Sequence, residues 1–263
     1  MKKSIIIALV LLFTINAAEA FNAFTHQTIA VLADRNLTAK AKQEVKAILK
    51  TDMKAASTWL NTLRKNPAYA ATKGWHFTTL NANGKSTTME ENDGVVQLEK
   101  AIAVLRNRKN ESDSLVQASL RTVIHLVADL HCLSHIRIEG IEATKGFSYV
   151  TWNEMSGKSS KNGKGHWYRL WESHFSNRYT IFTPEYYADD VNIFAVDKKA
   201  EYEKGTPRFW VENGGEDVVR ALEHFNNGEP VPAQVTNRHE YNHTRCLAKA
   251  GYRLAALLND IFK

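Results

Sequence analysis

The chain has 263 residues, of which 44% are apolar and 24% charged, and a formal net charge of +6. This is enough chain and enough apolar content to bury a sizeable core, which excludes intrinsic disorder, a collagen-like repeat and a small disulfide scaffold. The basic balance suits an anionic partner without demanding one, since net charge bears on solubility and nonspecific attraction to polyanions and not on chemistry.

Taken in chain order, the first feature is Lys2 and Lys3, then an apolar run from Ile5 to Ile15, then Ala18-Glu19-Ala20 before Phe21. A basic start, an apolar core and small residues at minus three and minus one form a secretory signal, so the expected division is a signal peptide over 1–20 and a mature chain over 21–263 beginning at Phe21, periplasmic or secreted. No later stretch approaches the roughly 20 consecutive apolar residues of a membrane span, and no stable membrane association is expected. Thr38 is placed to cap a helix running to Leu49, and Leu120, Val123, Val127 and Leu130 repeat at helical spacing. Alternation is confined to Phe147, Tyr149 and Thr151, part of a small hairpin, while Ser156 to Gly165 is rich in Gly, Ser and Lys and is expected to form an exposed loop. Leu247, Gly251, Leu254, Leu258 and Ile261 form a last helical stripe that packs on the core. The expectation is an all-α, single helical domain with a possible β-hairpin, and a monomer. Cys132 and Cys246 allow either one disulfide or two separate buried thiols.

The chain holds ten histidines, and His125, His131 and His135 crowd into one segment with Asp129. On a helix His125 and Asp129 project from one face, as a hydrogen-bonded pair or as two ligands of one metal ion. The surrounding helix is otherwise apolar, and burying an imidazole with a carboxylate requires a partner or a metal. Other candidate ligands lie far apart: His26, His76 and Glu172.

These residues resemble the secreted zinc-dependent single-strand nucleases of moulds and plants, the S-one/P-one nucleases, which share the helical fold of bacterial zinc phospholipase C. The resemblance runs through nearly the whole mature chain. Phe21 followed by His26 is similar to the family's N-terminal aromatic residue and histidine; Trp59 to Arg64 to its segment with a metal-binding aspartate, here Asn61, and a phosphate-binding arginine, here Arg64; His76-Phe77 to its ligand histidine and base-stacking aromatic residue. His125, Asp129 and His135 match its most specific motif. In the last ligand pair Tyr168 stands in place of histidine and Glu172 in place of aspartate, and Ala250 to Ile261 looks like the closing helix.

The resemblance implies up to three zinc ions: one on Asn61, His76, His125 and Asp129, a second on Phe21, His26 and the shared Asp129, a third on His135, Glu172 and one further group. It implies catalytic roles for Asn61, Arg64 and Asp129 and substrate-binding roles for Arg64 and Phe77. The implied activity is an exported zinc-dependent endonuclease that hydrolyses phosphodiester bonds of single-stranded DNA or RNA, with 3′-nucleotidase activity, so that single-stranded nucleic acid or nucleotides are the expected partners. Two alternatives stand beside it: a catalytically impaired, metal-stabilised binding protein, in which Asn61 and Tyr168 have ended turnover, and a phosphatase or phospholipase on the same scaffold. Lys158, Lys161 and Lys164 read as a solvated loop, and Trp59, Trp75 and Trp171 as packing around the ligands.

Overall fold

The computed structural model describes residues 21–63, 66–86, 90–143, 147–153, 158–226 and 229–263. The expected signal segment and Arg64 lie outside the described residues. The architecture is all-α. The helices are α1 (Ala23–Arg35), α2 (Ala39–Leu49), α3 (Met53–Ala56), α4 (Trp59–Leu63), α5 (Thr72–Trp75), α6 (Gly94–Arg106), α7 (Asp113–Asp129), α8 (Trp167–Arg169), α9 (Phe175–Asn177), α10 (Pro184–Ala195), α11 (Lys199–Tyr202), α12 (Pro207–Phe225) and α13 (Ala233–Ile261). Their starts follow from side-chain caps: Asn22 accepts from the Thr25 backbone N–H at 3.0 Å, Thr38 from Ala41 at 3.2 Å and Asp93 from Val95 at 2.8 Å, while Pro184 and Pro207 open α10 and α12 behind capping threonines.

α7 is the central element. From Thr122 to Asp129 every residue is buried, and α1, α2, α4, α6 and α13 all pack against it. The core therefore surrounds the helix that carries His125 and Asp129. The segment resembling the family motif is not one helix, however: α7 ends at Asp129, and His135 follows on a short 3₁₀ turn, Leu133–His135.

Among the described residues two small sheets accompany the helices. β1 (Thr78–Leu80) and β2 (Ile136–Ile138) pair in parallel with Thr78 opposite Ile136. At three residues each they are too short to show alternation, which is why the sequence pattern does not reveal them. β3 (Phe147–Asn153) and β4 (Lys158–Gly165) form the antiparallel hairpin, with an irregular register between Val150 and Thr151. Over Lys158–Gly165 this corrects the expectation of a loop across Ser156 to Gly165, of which Ser156 and Gly157 lie outside the described residues: strand pairing satisfies the backbone without help from side chains, so a neighbouring strand overrides the poor β-propensity of Gly, Ser and Lys. Cys132 and Cys246 are both free and buried, so the alternative of two separate thiols holds and no disulfide forms between them.

The start of α6 is fitted tightly against the turn that bears His76 and Phe77. The Gly94 backbone N–H donates to the Phe77 carbonyl at 2.8 Å, and a Cβ on Gly94 would lie 2.3 Å from the Trp75 carbonyl oxygen and 2.9 Å from that of Phe77. Only a residue without a side chain permits this approach. Gly94→Ala is expected to destabilise the protein by about 1–3 kcal/mol through forced backbone displacement, read as a lower urea midpoint at unchanged slope; an unshifted midpoint would show that the turn yields freely.

Candidate functional site

The parallel pairing of β1 and β2 does more than close a small sheet. His76 and Phe77 immediately precede β1, and His135 immediately precedes β2, so the parallel register sets their side chains at the same end of the ladder. Phe77 and His135 rings lie 4.6 Å apart. α7 ends at the same place and delivers His125 and Asp129, and α1 delivers His26, whose ring stacks on that of His125 at 4.1 Å.

Asp129 is the centre of this convergence. Its Oδ2 is 2.7 Å from His76 Nδ1 and 3.1 Å from His125 Nε2; its Oδ1 is 3.4 Å from His26 Nε2 and 3.7 Å from His135 Nδ1. All five side chains are buried. His125 Nδ1 donates to the Ser57 carbonyl at 2.6 Å, which fixes its tautomer and leaves the Nε2 lone pair facing the carboxylate and His76. Burial resists ionisation of Asp129, yet the facing His125 and His76 hold it well below the usual carboxylate range. Burial and the neighbouring His125 lower the His26 imidazole to about 4.

The carboxylate accepts from His76 Nδ1 at 2.7 Å and faces further imidazole nitrogens, which makes the group a set of metal donors. Both ring nitrogens of His26, Oδ1 of Asp129 and Nδ1 of His135 have no hydrogen-bond partner, and each such buried group costs about 1–3 kcal/mol. The donor set of imidazole and carboxylate is what a divalent zinc-like ion takes, and His26, His125 and Asp129 offer atoms within 4.8 Å of one another. The residues present therefore fit a metal ion.

The other expected residues take graded positions around this centre. Phe21 is fully buried, its ring 6.4 Å from that of His26, and the next residue's N–H donates to the Glu172 carbonyl at 3.1 Å. Asn61 is buried on α4, which packs on α7, and its Oδ1 has no hydrogen-bond partner. Glu172 sits on a single π-helical turn, Leu170–His174, and its Oε1 lies 2.6 Å from His135 Nε2. Such turns widen a helix locally and recur at functional sites. Burial raises the Glu172 carboxyl against the pull of His135; burial alone would lower His135, but Glu172 outweighs it and raises it. Tyr168 lays its ring parallel to His135 at 5.8 Å.

Beside His135 opens a cavity of about 790 Å³, lined by Phe77, Thr79, Arg137, His166, Trp167 and Tyr168 among others. Arg137, on β2, holds its guanidinium 4.4 Å from the centroid of the Phe77 ring. Sequence reasoning misses Arg137 because only the β1–β2 register puts it there. His131, although inside the histidine-rich segment, points away: Nδ1 donates to the Val127 carbonyl at 2.6 Å and Nε2 accepts from Arg253 at 2.8 Å. Burial and the Arg253 charge hold it neutral.

A model of the family described as S1/P1 Nuclease matches residues 22–263, essentially the whole chain. No curated protein matches it. Among the described residues no helix is long and apolar enough to cross a membrane.

Two further histidines escape the sequence pattern, although His239-Glu240-Tyr241-Asn242-His243 has the H-E-x-x-H spacing of metalloproteases. Glu240 accepts from Arg178 at 2.6 Å and from the Tyr179 hydroxyl at 3.0 Å, and the His243 ring packs among Phe21, Trp171 and Phe175. Burial lowers His243 to about 3. Between pH 6.5 and about 3 the unfolded chain therefore binds a proton that the native chain refuses, so this group's contribution is fully present above 6.5 and is lost as the pH falls. His243→Phe should make the loss of stability across that window shallower by about 1.4 kcal/mol per pH unit, measured by urea denaturation at a series of pH values; an unchanged slope would refute the assignment.

Proposed function

The chain belongs to the S1/P1 nuclease family, and from that premise we propose that it is an exported zinc-dependent endonuclease that hydrolyses phosphodiester bonds of single-stranded DNA or RNA and removes 3′ phosphates from nucleotides. Family membership supports nuclease activity on nucleic acid in general. The observation that carries the finer reading is the buried Asp129 with four histidines around it, opening beside a cavity with an aromatic face and a guanidinium.

Residues 1–20 act as the export signal, and the mature chain starts at Phe21 as a monomer. In this reading His76, His125, Asp129 and Asn61 would hold one zinc; His26, Asp129 and the free amine and carbonyl oxygen of Phe21 would hold a second; His135 and Glu172 would contribute to a third. When bound, zinc supplies Lewis acidity that makes water a competent nucleophile near neutral pH and offsets charge building on phosphoryl oxygens. The chain's own residues do the rest. Ser57 holds His125 in its tautomer; Trp171, next to Glu172 in sequence and fully buried, packs around the ligands and excludes water. Phe77 offers a ring face to an unstacked base, a contact worth about 1–3 kcal/mol, and duplex DNA cannot present its bases in that way. Arg137 at the same ring, together with Arg64, pairs with phosphate.

A second reading, a metal-stabilised binding protein without turnover, is favoured by one observation: Tyr168 stacks on His135 where the family pattern has a ligand histidine. The two readings part on activity. Protein matured at Phe21 and loaded with zinc should cleave single-stranded DNA and RNA. A chelator should abolish that cleavage, and Asp129→Asn should lower kcat by at least about a hundredfold, as expected when a group acting on the reaction's charge is removed. Intact substrate across acidic and neutral pH would leave the binding reading. Arg137→Ala should raise KM about tenfold, the loss of one hydrogen-bonded charge contact, and reduce the salt dependence of binding; an unaltered KM would remove Arg137 from the substrate path.

A further inference from the structure

The reading above leaves the third metal site with two protein donors, His135 and Glu172, fewer than the three typical of a catalytic zinc. We propose that Cys132 supplies the missing ligand, so that this chain carries a Cys-His-Glu site in which a thiolate takes the place of the histidine that Tyr168 has replaced. The proposal rests on the reading of this pocket as a metal centre and adds the identity of the donor.

Cys132, His135 and Glu172 are all buried and present a sulfur, a ring nitrogen and a carboxylate oxygen within 4.8 Å of one another. The Cys132 Sγ lies 3.9 Å from Glu172 Oε1. Two ligands at about 2.3 Å (sulfur) and about 2.0 Å (oxygen) from a tetrahedral ion stand about 3.5 Å apart, so this edge already has nearly the right length. The shorter His135 to Glu172 contact is the hydrogen bond that the two groups make with each other. A second, independent observation points into the same pocket: Glu172 is only 3% exposed, and its Oε2 has no hydrogen-bond partner. Local chain geometry sets the donors. The Cys132 N–H donates to the Asp129 carbonyl and the His135 N–H to the Cys132 carbonyl, both at 2.9 Å, so the 3₁₀ turn presents thiol and imidazole on one side, toward the π turn of Glu172.

The thiol is available, since Cys132 is in no disulfide. Burial and the nearby Glu172 keep it protonated until a divalent cation displaces the proton to solvent, leaving a thiolate–metal bond. One thiolate with one imidazole and one carboxylate favours zinc over magnesium or manganese and leaves a coordination position open. Tyr168, stacked on His135, then acts by holding the imidazole plane.

Protein matured at Phe21, stripped of metal and titrated with cobalt(II), should develop a thiolate-to-cobalt charge-transfer band in the near ultraviolet that saturates at one thiolate per chain. Cys132→Ser should lose the band and bind that equivalent at least about tenfold more weakly, the loss expected even for an outer-shell partner, whereas Cys246→Ser should keep the band. Cobalt uptake without the band, or a band that survives in Cys132→Ser, overturns the proposal. Should Cys132→Ser fail to fold, X-ray absorption of the zinc-loaded wild type decides: one sulfur scatterer at about 2.3 Å supports it, and a shell of nitrogen and oxygen alone overturns it. These readouts do not depend on turnover. Chelator-sensitive cleavage without metal-bound sulfur sinks the ligand and spares the nuclease reading, sulfur ligation without cleavage does the reverse, and absence of metal uptake sinks both.

Discussion

The structure depends on one electrostatic constraint, the placing of an ionised carboxylate in a dry core at the C-terminal end of a helix. An unpaired buried charge is costly, and the helix end aggravates the cost because its exposed carbonyls already carry partial negative charge. Asp129 meets both conditions at the end of α7. Four imidazoles lean on it, and they come from α1, from the turn before β1, from α7 itself and from the turn before β2. Imidazoles orient the carboxylate, and a cation held among their lone pairs neutralises it as well. The ring nitrogens of His26, Oδ1 of Asp129 and Nδ1 of His135, which have no hydrogen-bond partner, lie where such an ion would bind.

The irregular elements of the fold are the means of meeting that constraint. A continuous helix from His125 to His135 would carry the last histidine away from Asp129, since ten residues of helix rise about 15 Å. Ending α7 at Asp129 and turning through a 3₁₀ segment returns His135 to the carboxylate. The three-residue parallel pair of β1 and β2 brings the His76 turn alongside it. The π turn around Glu172 brings that carboxylate to His135, and Gly94 lets α6 seat against the carbonyls of the His76 turn.

Departures from the family pattern touch two of the three implied metal sites. His26, His76, His125, Asp129 and His135 keep the residue types that the resemblance leads one to expect, and the fold gathers them. Asn61 and Tyr168 do not keep theirs, and Tyr168 occupies a stacking position against His135. Cys132 lies in the same corner as Tyr168, so a lost imidazole and an available sulfur are neighbours in space. Their 36-residue separation in sequence makes that relation invisible until the chain is folded.

Much of the fold is legible in the chain itself. Thr38 and the stripes through Leu120 to Leu130 and Leu247 to Ile261 announce their helices because capping and apolar periodicity are local properties. The resemblance marks the histidines and Asp129 as candidates because their types and spacings are written in order. The strand formed by Lys158–Gly165, the β1–β2 pair, the break in the helix after Asp129, the position of Arg137 over Phe77 and the turning of His131 toward Arg253 are not legible, and the buried pair His239 and His243 passes unnoticed. Each of these depends on a partner distant in sequence. Periodicity and capping record what a residue asks of its neighbours along the chain, whereas pairing register, ring stacking and the convergence of ligands on one carboxylate are set by which surfaces meet when the core closes, and only the tertiary structure decides that.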